Sequence, residues 1–474
     1  MGVSNVMLTG RSGMMASRAG IATTGHNITN ANTEGFSRQR VEFKSATPQQ
    51  SFNNNRTIGT GVDVQRISRY NDEYLEKQVR NGAKDMAHLE EKDLHLTQVE
   101  DVFNEMGGEG LNRIMSRFFN DFRQLANDPE SEAVRQTVRE SSDAMITDFK
   151  RVRKELTEVS NHIDSRIDGY VREANATVDE VSRLNKLISL AELGSQDAAN
   201  DLHDQRDQAV KKLATYVDIS VHKDEKGNVM VDMPGVGPLI SGPSADKFVV
   251  ERSPVDEQGK RENTLDIKTT AYAGGPITHI LKGGKIGALL EVRDKTLATI
   301  LNRMDDLAYN VTTAVNEVHR QGFNREGQTG IDFFKQLGGK ERAAEYLDLS
   351  SSIRGNVNNI AAAASADSPG DNRVAIALSG IQGLRMMNDG KATVDDFYNS
   401  IISDVGVMSS RNKSDLNQQK SINTQLNKMR DNLSGVSIDE EIANLLQFQH
   451  SFDASAKVIQ VADSMLETVL NLRR

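Results

Sequence analysis

The chain has 474 residues, 26% of them charged, and a formal net charge of −10. It contains no Cys, which excludes disulfides and thiolate chemistry, and its acidic balance argues against nucleic acid or an anionic membrane as a partner. No apolar run is long enough to span a bilayer, and no basic segment followed by an apolar core marks a secretory leader.

The first element is a helix in which Met7, Met14, Ile21 and Ile28 recur every seven residues, the spacing of a seam along which one helix packs on another. It ends in Asn27-Ile28-Thr29-Asn30-Ala31-Asn32, followed by a turn at Gly35, a position suited to positive φ. The turn lets Phe36 pack beside the helix while Arg38 faces outward. Leu75, Val79, Met86, Leu89, Leu96 and Phe103 then repeat at helical spacing from about Tyr70, up to a break at Gly107, Gly108 and Gly110. A shorter helix runs to Asn127, and Asp128-Pro129 opens a long one that continues to about Ile188.

Five of the eight prolines fall between Tyr216 and Gly284, where the period shifts to alternation. Val217–His222, a turn at Lys226-Gly227-Asn228 and Val229-Met230-Val231 read as a hairpin, with further strands at Lys247–Glu251 and Thr264–Lys268. Helix returns at Ile286, with a stripe of Ile300, Met304, Leu307, Val311, Ala314 and Val318. An irregular stretch precedes another helix from about Thr393 to Leu433. The last helix repeats the seven-residue seam at Leu445, Phe452, Ile459 and Leu466, with Ile442, Ala456 and Leu470 at alternate positions.

The expected fold is mainly α with an inserted β domain. Paired N- and C-terminal coiled-coil-like helices (1–60 with 435–474) carry an elongated helical-bundle domain (61–215 with 285–434) and a small β-rich outer domain (216–284). Burial of the four C-terminal seam residues contributes about 6–12 kcal/mol. Ordering the helix costs roughly 1–2 kcal/mol per residue of backbone entropy, which internal hydrogen bonds offset only in part. The end helices are therefore marginal alone and need partners.

Few residues suggest chemistry. His88, Glu91 and His95 share one helix but miss a standard zinc spacing, so a solvated face is expected. His203, Asp204 and Asp207 beside Arg206 read likewise as solvated helix charges. Gly235, Gly237 and Gly242 lie among prolines as turns, and Gly283-Gly284-Lys285 lacks the remainder of a phosphate loop. No catalytic, cofactor or metal site is expected.

The run Asn27-Ile28-Thr29-Asn30-Ala31-Asn32-Thr33-Glu34-Gly35-Phe36-Ser37-Arg38-Gln39 resembles the signature of the bacterial flagellar axial proteins, the rod, hook and hook-associated proteins. Its Ser-Arg-Gln ending is most similar to the hook-associated, junction-forming branch. Gly59–Val64 with Tyr70–Leu75, Asn200–Asp207, and the tail from Gly435 with Ser437-Ile438-Asp439-Glu440-Glu441 resemble other segments of the same family, in the same order. The resemblance is weak from Tyr216 to Gly284.

It implies a structural, non-enzymatic subunit at the junction of hook and filament. The implied neighbours are hook protein, a second hook–filament junction protein and further copies of itself, with an export chaperone on the C-terminal helix. It also implies secretion through the flagellar channel without a cleaved signal. The expected assembly interface is Met7, Met14, Ile21, Ile28, Gly35, Phe36, Arg38, Ile442, Leu445, Phe452, Ile459 and Leu466. A filament or hook subunit is the alternative within this class. A flagellum-associated cell-wall hydrolase is the alternative outside it, and only the acidic residues of the β insert, Asp232, Asp246, Glu251, Asp256, Glu257 and Asp266, could serve it.

Overall fold

A computed structural model describes residues 3–50, 57–103, 110–193, 199–224, 228–252, 265–366, 368 and 370–471. Helix α1 (Val3–Thr29) leads into an antiparallel ribbon of β1 (Gln39–Ser45) and β4 (Val62–Arg69), continued by the two-residue strands β2 (Gln49–Gln50) and β3 (Thr57–Ile58). Then come α2 (Glu73–Phe103), α3 (Leu111–Asn127), α4 (Glu132–Ala191) and α5 (Asn200–Tyr216). The β layer holds β5 (Ser220–Lys223), β6 (Val229–Met233), β7 (Gly237–Ser241), β8 (Ser244–Ala245), β9 (Phe248–Arg252) and β10 (Leu265–Thr269). The chain returns through α6 (Gly284–Glu291), one wide π-turn at Val292–Leu297, and α7 (Ala298–Gln321). Short helices α8 (Ala343–Tyr346), α9 (Ser351–Gly355) and α10 (Arg373–Gly380) precede α11 (Val394–Ser434) and α12 (Ile438–Asn471).

Helix α4 is the spine. Its 60 residues make a rod roughly 90 Å long at 1.5 Å per residue. Ser131 caps it by accepting the Val134 N–H at 3.3 Å. Met145, Phe149, Val152, Leu156, Ile163, Ile167 and Val171 are buried in steps of three, four and seven along one face. Around its first half lie α3, α7 and α10, whose core is a cluster of Phe118, Phe119, Phe122, Phe333 and Phe334 with ring centroids 4.8–6.0 Å apart. Helix α11 starts with a capping box, Thr393 and Asp396, and runs back along α2. Asn412 and Gln419 of α11 donate to the Leu89 and Gly82 carbonyls of α2 at 3.1 and 3.2 Å.

The strands cover the second half of α4. Strands β5-β6-β7-β8 form one antiparallel sheet and β9 pairs with β10. Val231, Ile240 and Ile267 are fully buried and belong to the same core as Val178, Val181 and Leu184 of α4. Asn175 exchanges two hydrogen bonds with the Phe248 backbone, at 2.8 and 2.9 Å, and Asn185 donates to the Val229 and Gly242 carbonyls at 2.9 Å. The insert leaves and rejoins the helices at one place, since a Cβ on Gly284 would stand 2.6 Å from the Tyr216 carbonyl carbon. The turn residues Lys226 and Gly227, and Asp256, Glu257 and Thr264, lie outside the described residues.

Two expectations about polar residues are corrected. His88, Glu91 and His95 do not form a solvated face: His95 is fully buried and Glu91 nearly so. Glu91 accepts from Arg166 Nε at 2.7 Å and Tyr170 Oη at 2.8 Å, while His88 contacts Glu291 at 3.2 Å. Burial pushes the Glu91 carboxyl up, but the bonds from His95, Arg166 and Tyr170 outweigh it and hold the group down at about 2. These charges join α2 to α4 and α6. His203, Asp204, Arg206 and Asp207 are the second correction, since Asp204 and Arg206 are both buried.

Buried polar groups also anchor the irregular stretch after α7. Asn316 Oδ1 accepts the Phe333 and Phe334 N–H groups at 3.0 and 2.9 Å. His319 Nδ1–H donates to the Ile331 carbonyl at 2.7 Å, and Nε2 accepts the Ala361 N–H at 2.8 Å. That geometry needs the neutral ring, and burial pushes its pKa from 6.5 down to about 4. Between those values the unfolded chain holds a proton that the folded chain does not, so stability falls as pH drops through this window and is flat above it. We expect about 3 kcal/mol to be lost between pH 7 and 4 from this group. Urea unfolding of the wild type and His319→Gln across pH 4–7.5 should show the slope flattened in the variant; parallel curves would contradict the assignment.

Candidate assembly site at the joined chain ends

The two ends of the chain lie along each other as a helix pair. The α1 face that meets α12 is built from small residues. Gly10, Gly13, Ser17, Gly20, Thr24 and Asn27 follow steps of three and four, and all but Gly13 are buried. A Cβ on Gly10 would stand 2.7 Å from Ile459 Cγ1, one on Gly13 2.7 Å from Ser455 Oγ, and one on Gly20 2.7 Å from the Phe448 ring. The glycines therefore set how closely the helices approach. Phe448 also packs edge-on against Phe43 of β1, with ring centroids 6.1 Å apart.

Below this seam lies a polar knot. Glu441, in the first turn of α12, is 2% exposed. Arg38 Nε donates to its Oε1 at 2.7 Å and Asn27 Nδ2 to its Oε2 at 3.0 Å. Arg38 Nη1 reaches Glu440 at 2.8 Å, and the Arg38 N–H caps α11 by donating to the Ser434 carbonyl at 2.9 Å. Arg38 thus faces the C-terminal helix, not outward as its place after the turn suggested. Asn27 also exchanges bonds with the Gln39 backbone at 2.8 and 3.0 Å, which fixes where β1 begins.

The first turns of α5 complete the knot. Asp201 accepts from Gln39 Nε2 at 2.7 Å and lies 3.1 Å from His26 Nε2. Asp204 accepts the Ser37 N–H at 3.0 Å and Arg69 Nη1 at 2.7 Å, and Asp207 takes the same nitrogen at 3.0 Å. Burial alone would lower the Arg69 guanidinium, but the Asp207 and Asp204 charges outweigh it and hold it above its usual range. Burial pushes His203 below its usual range, and its Nδ1 accepts from Arg206 Nη2 at 2.9 Å. Gly35 has φ +82°, and the Gln208 side chain packs where its Cβ would stand, so only glycine fits this turn. Phe36 packs edge-on against His26 at 5.4 Å.

The residues expected at the interface distribute as follows. Gly35, Phe36, Arg38 and Ile459 sit in the contacts just described. Leu445, Phe452 and Leu466 of α12, and Met14, Ile21 and Ile28 of α1, are half-buried, while Met7 and Ile442 are exposed. Sequence reasoning missed Gly10, Gly20, Phe448, Gln39 and Glu441. The only signal of the two glycines was a second heptad of small residues, to which hydropathy is blind, while Gln39 and Glu441 stood in the family motifs without a side-chain role. Among the described residues no group of three or more His, Cys, Asp or Glu could hold a metal ion, and no helix is long and apolar enough to cross a membrane.

Paired end helices joined through a buried knot, on a long helical body with no metal-holding cluster among the described residues, define an elongated helical structural subunit, and the comparisons give its family. The model of the flagellar hook-associated protein FlgK helical domain matches residues 96–334. Those of the flagella basal body rod protein and the flagellar basal body rod FlgEFG protein C-terminal region match 7–36 and 431–472. Flagellar hook-associated protein 1 of Bacillus subtilis is 28% identical, with 98% of this chain and 97% of that protein covered. The Escherichia coli protein of the same name is 24% identical, with 99% and 100% covered. The structure of the flagellar hook junction protein FlgK from Burkholderia pseudomallei shares the fold at a TM-score of 0.65 and 15% identity, covering 77% of this chain and all of that one. The helical-domain match spans half of the chain, and the chain belongs to the FlgK family of flagellar hook-associated proteins. It is a structural protein of the flagellar hook–filament junction.

Two predictions test the seam and the knot. Gly20→Ala improves helix propensity by about 1 kcal/mol yet must displace Phe448, whereas Gly25 has nothing within 4 Å of a built Cβ. Gly25→Ala should therefore slow amide exchange in α1 and Gly20→Ala should speed it; matching effects would remove the glycines' packing role. Arg38→Ala leaves Glu441 buried with only Asn27, a loss of about 3 kcal/mol. Exchange in α12 should rise about 100-fold while α3 and α7 stay protected; unchanged protection in α12 would show that the ion pair does not hold the ends together.

Proposed function

We propose that the terminal helix pair is the surface through which this subunit joins its neighbours in the junction. The supporting observation is what the pair leaves uncovered. Val458, Val461, Met465 and Val469 line one face of α12 in steps of three and four, and Val461 and Val469 are more than half exposed. On α1, Leu8 and Met15 are also exposed. Small residues of α1 meet Phe448, Ser455 and Ile459 of α12, and Leu8, Met15, Val461, Met465 and Val469 stay exposed outside that contact. Continuous exposed apolar stripes of this kind mark association surfaces.

In this reading 1–60 with 435–474 forms the inner layer, packed against equivalent helices of adjacent subunits. Residues 61–215 with 285–434 form the wall outside it, with 216–284 outermost. Met7, Met14, Ile21, Ile28, Ile442, Leu445, Phe452 and Leu466, which are half-buried or exposed in the single chain, lose their remaining exposure in the assembly. Hook protein and the second junction protein are the neighbours along the axis, and an export chaperone covers α12 before secretion to the extracellular flagellum. The family is structural, and the body of the fold serves as a load-bearing rod.

Val461→Asp with Met465→Asp should leave the body folded, with a near-wild-type circular dichroism spectrum and thermal midpoint. The same variant should fail to support filament growth when it replaces the native gene, as judged by electron microscopy and swimming. Normal filaments on such cells would remove the α12 face from the interface.

A further inference from the structure

We infer that the terminal pairs of two copies join through opposite charges, the outer face of α1 in one copy lying on the acidic flank of α12 in the next. This rests on the reading that the terminal pair is the assembly surface, and it names the contact. Charge is segregated between the two helices. Helix α1 carries Arg11 and Arg18 and no Asp or Glu. Beyond its first turn, α12 carries Asp453, Asp463 and Glu467 against Lys457. All of these are exposed, and their side chains make no hydrogen bond or ion pair among the described residues. Two complementary sets of charge on one molecule are therefore both unused within it.

Their placement explains why. Ser4, Leu8, Arg11, Met15, Arg18 and Ala22 follow one another in steps of four and three and are all exposed, so they share one side of α1. Gly10, Gly13 and Gly20, which meet α12, lie on the other side. On α12, at about 100° per residue, Asp453, Asp463 and Glu467 fall within about 80° of one another, opposite the face of Val461, Met465 and Val469. The arginines thus point away from their own α12 but toward any α12 placed outside α1. The register is also suitable. Gly10 lies level with Ile459 and Gly20 with Phe448, so the helices run antiparallel. A second copy in the same orientation keeps that direction. Shifted by about one turn, ~6 Å, it brings Asp463 to Arg11 and Asp453 to Arg18, each to within about 2 Å along the axis. The contact joins two different surfaces, so each copy keeps one of each free, and the contact repeats around a ring or along a helix instead of closing as a pair.

The test replaces the native gene with charge-reversed variants of the full chain. Arg11→Glu/Arg18→Glu should cut the fraction of cells bearing filaments about tenfold, because like charges then face each other, and Asp453→Arg/Asp463→Arg should do the same. Arg11→Lys/Arg18→Lys should keep the filaments. Co-expression of the two defective variants should restore them, because alternating copies again set opposite charges against each other at every contact between unlike neighbours. A pairing within one chain could not be restored in this way. Secretion of each variant and circular dichroism of the purified chains control for export and folding. For a variant that is not secreted, glutaraldehyde fixation of the purified chains gives the same reading: the mixture should yield more dimer than either variant alone. Normal filaments on the Arg11→Glu/Arg18→Glu cells would overturn the proposal. So would a lack of restoration when both variants are secreted, or equal dimer yields from the separate and mixed chains. None of these results alters the outcome for Val461→Asp with Met465→Asp, so a failure here is separable from a failure of the assembly surface itself.

Discussion

A buried carboxylate without a partner is too costly to persist, and Glu441 is a buried carboxylate at the place where the two ends of this chain meet. Arg38 and Asn27 meet that demand, and both must come from the other end of the chain. The turn that delivers Arg38 depends on Gly35, and the position of β1 depends on Asn27 holding Gln39. The α5 carboxylates then take up Ser37, Gln39 and Arg69, so the ribbon and the body are tied to the same point. Glu441 also sits at the positive end of the α12 dipole, which favours a carboxylate there. Fixing one charge therefore orients the terminal pair relative to everything else.

The body solves a different problem. A helix as long as α4 cannot bury its stripe against one partner. It uses helices along one half and strands along the other, with Asn175 and Asn185 meeting backbone groups that side-by-side packing would leave unpaired. The β layer is an insertion by chain path and an integral layer by packing. Ion pairs such as Arg153 with Asp305 at 2.6 Å and Arg293 with Asp164 at 2.6 Å cross between elements distant in sequence.

The terminal pair is built on the opposite principle. Its internal contact is close but thin, because glycine and serine bring backbones together while burying little apolar area. Phe448 and Ile459 enter that contact, while Leu8, Met15, Val461, Met465 and Val469 stay exposed. On the proposed reading, neighbours that cover those faces add to the pair's stability and couple its order to assembly.

Read alone, the sequence determined the periods. The bounds of α2, α3 and α4, the return to helix near Ile286, the hairpin around Val229 and the meeting of the chain ends all follow from local spacing, turn residues and the family motifs. Helices α8, α9 and α10 escaped because they are too short to show a period. Which stripe of α1 is buried was a tertiary decision: two heptads share that helix, and the apolar one, through Met7 and Met14, is not the one that meets α12. Close approach favours the stripe without side chains, and hydropathy carries no trace of it. The directions of Arg38, His95 and Asp204 were equally hidden. A polar residue is buried only when a partner compensates it, and theirs come from elsewhere in the fold, as with Arg38, whose partner lies 403 positions away.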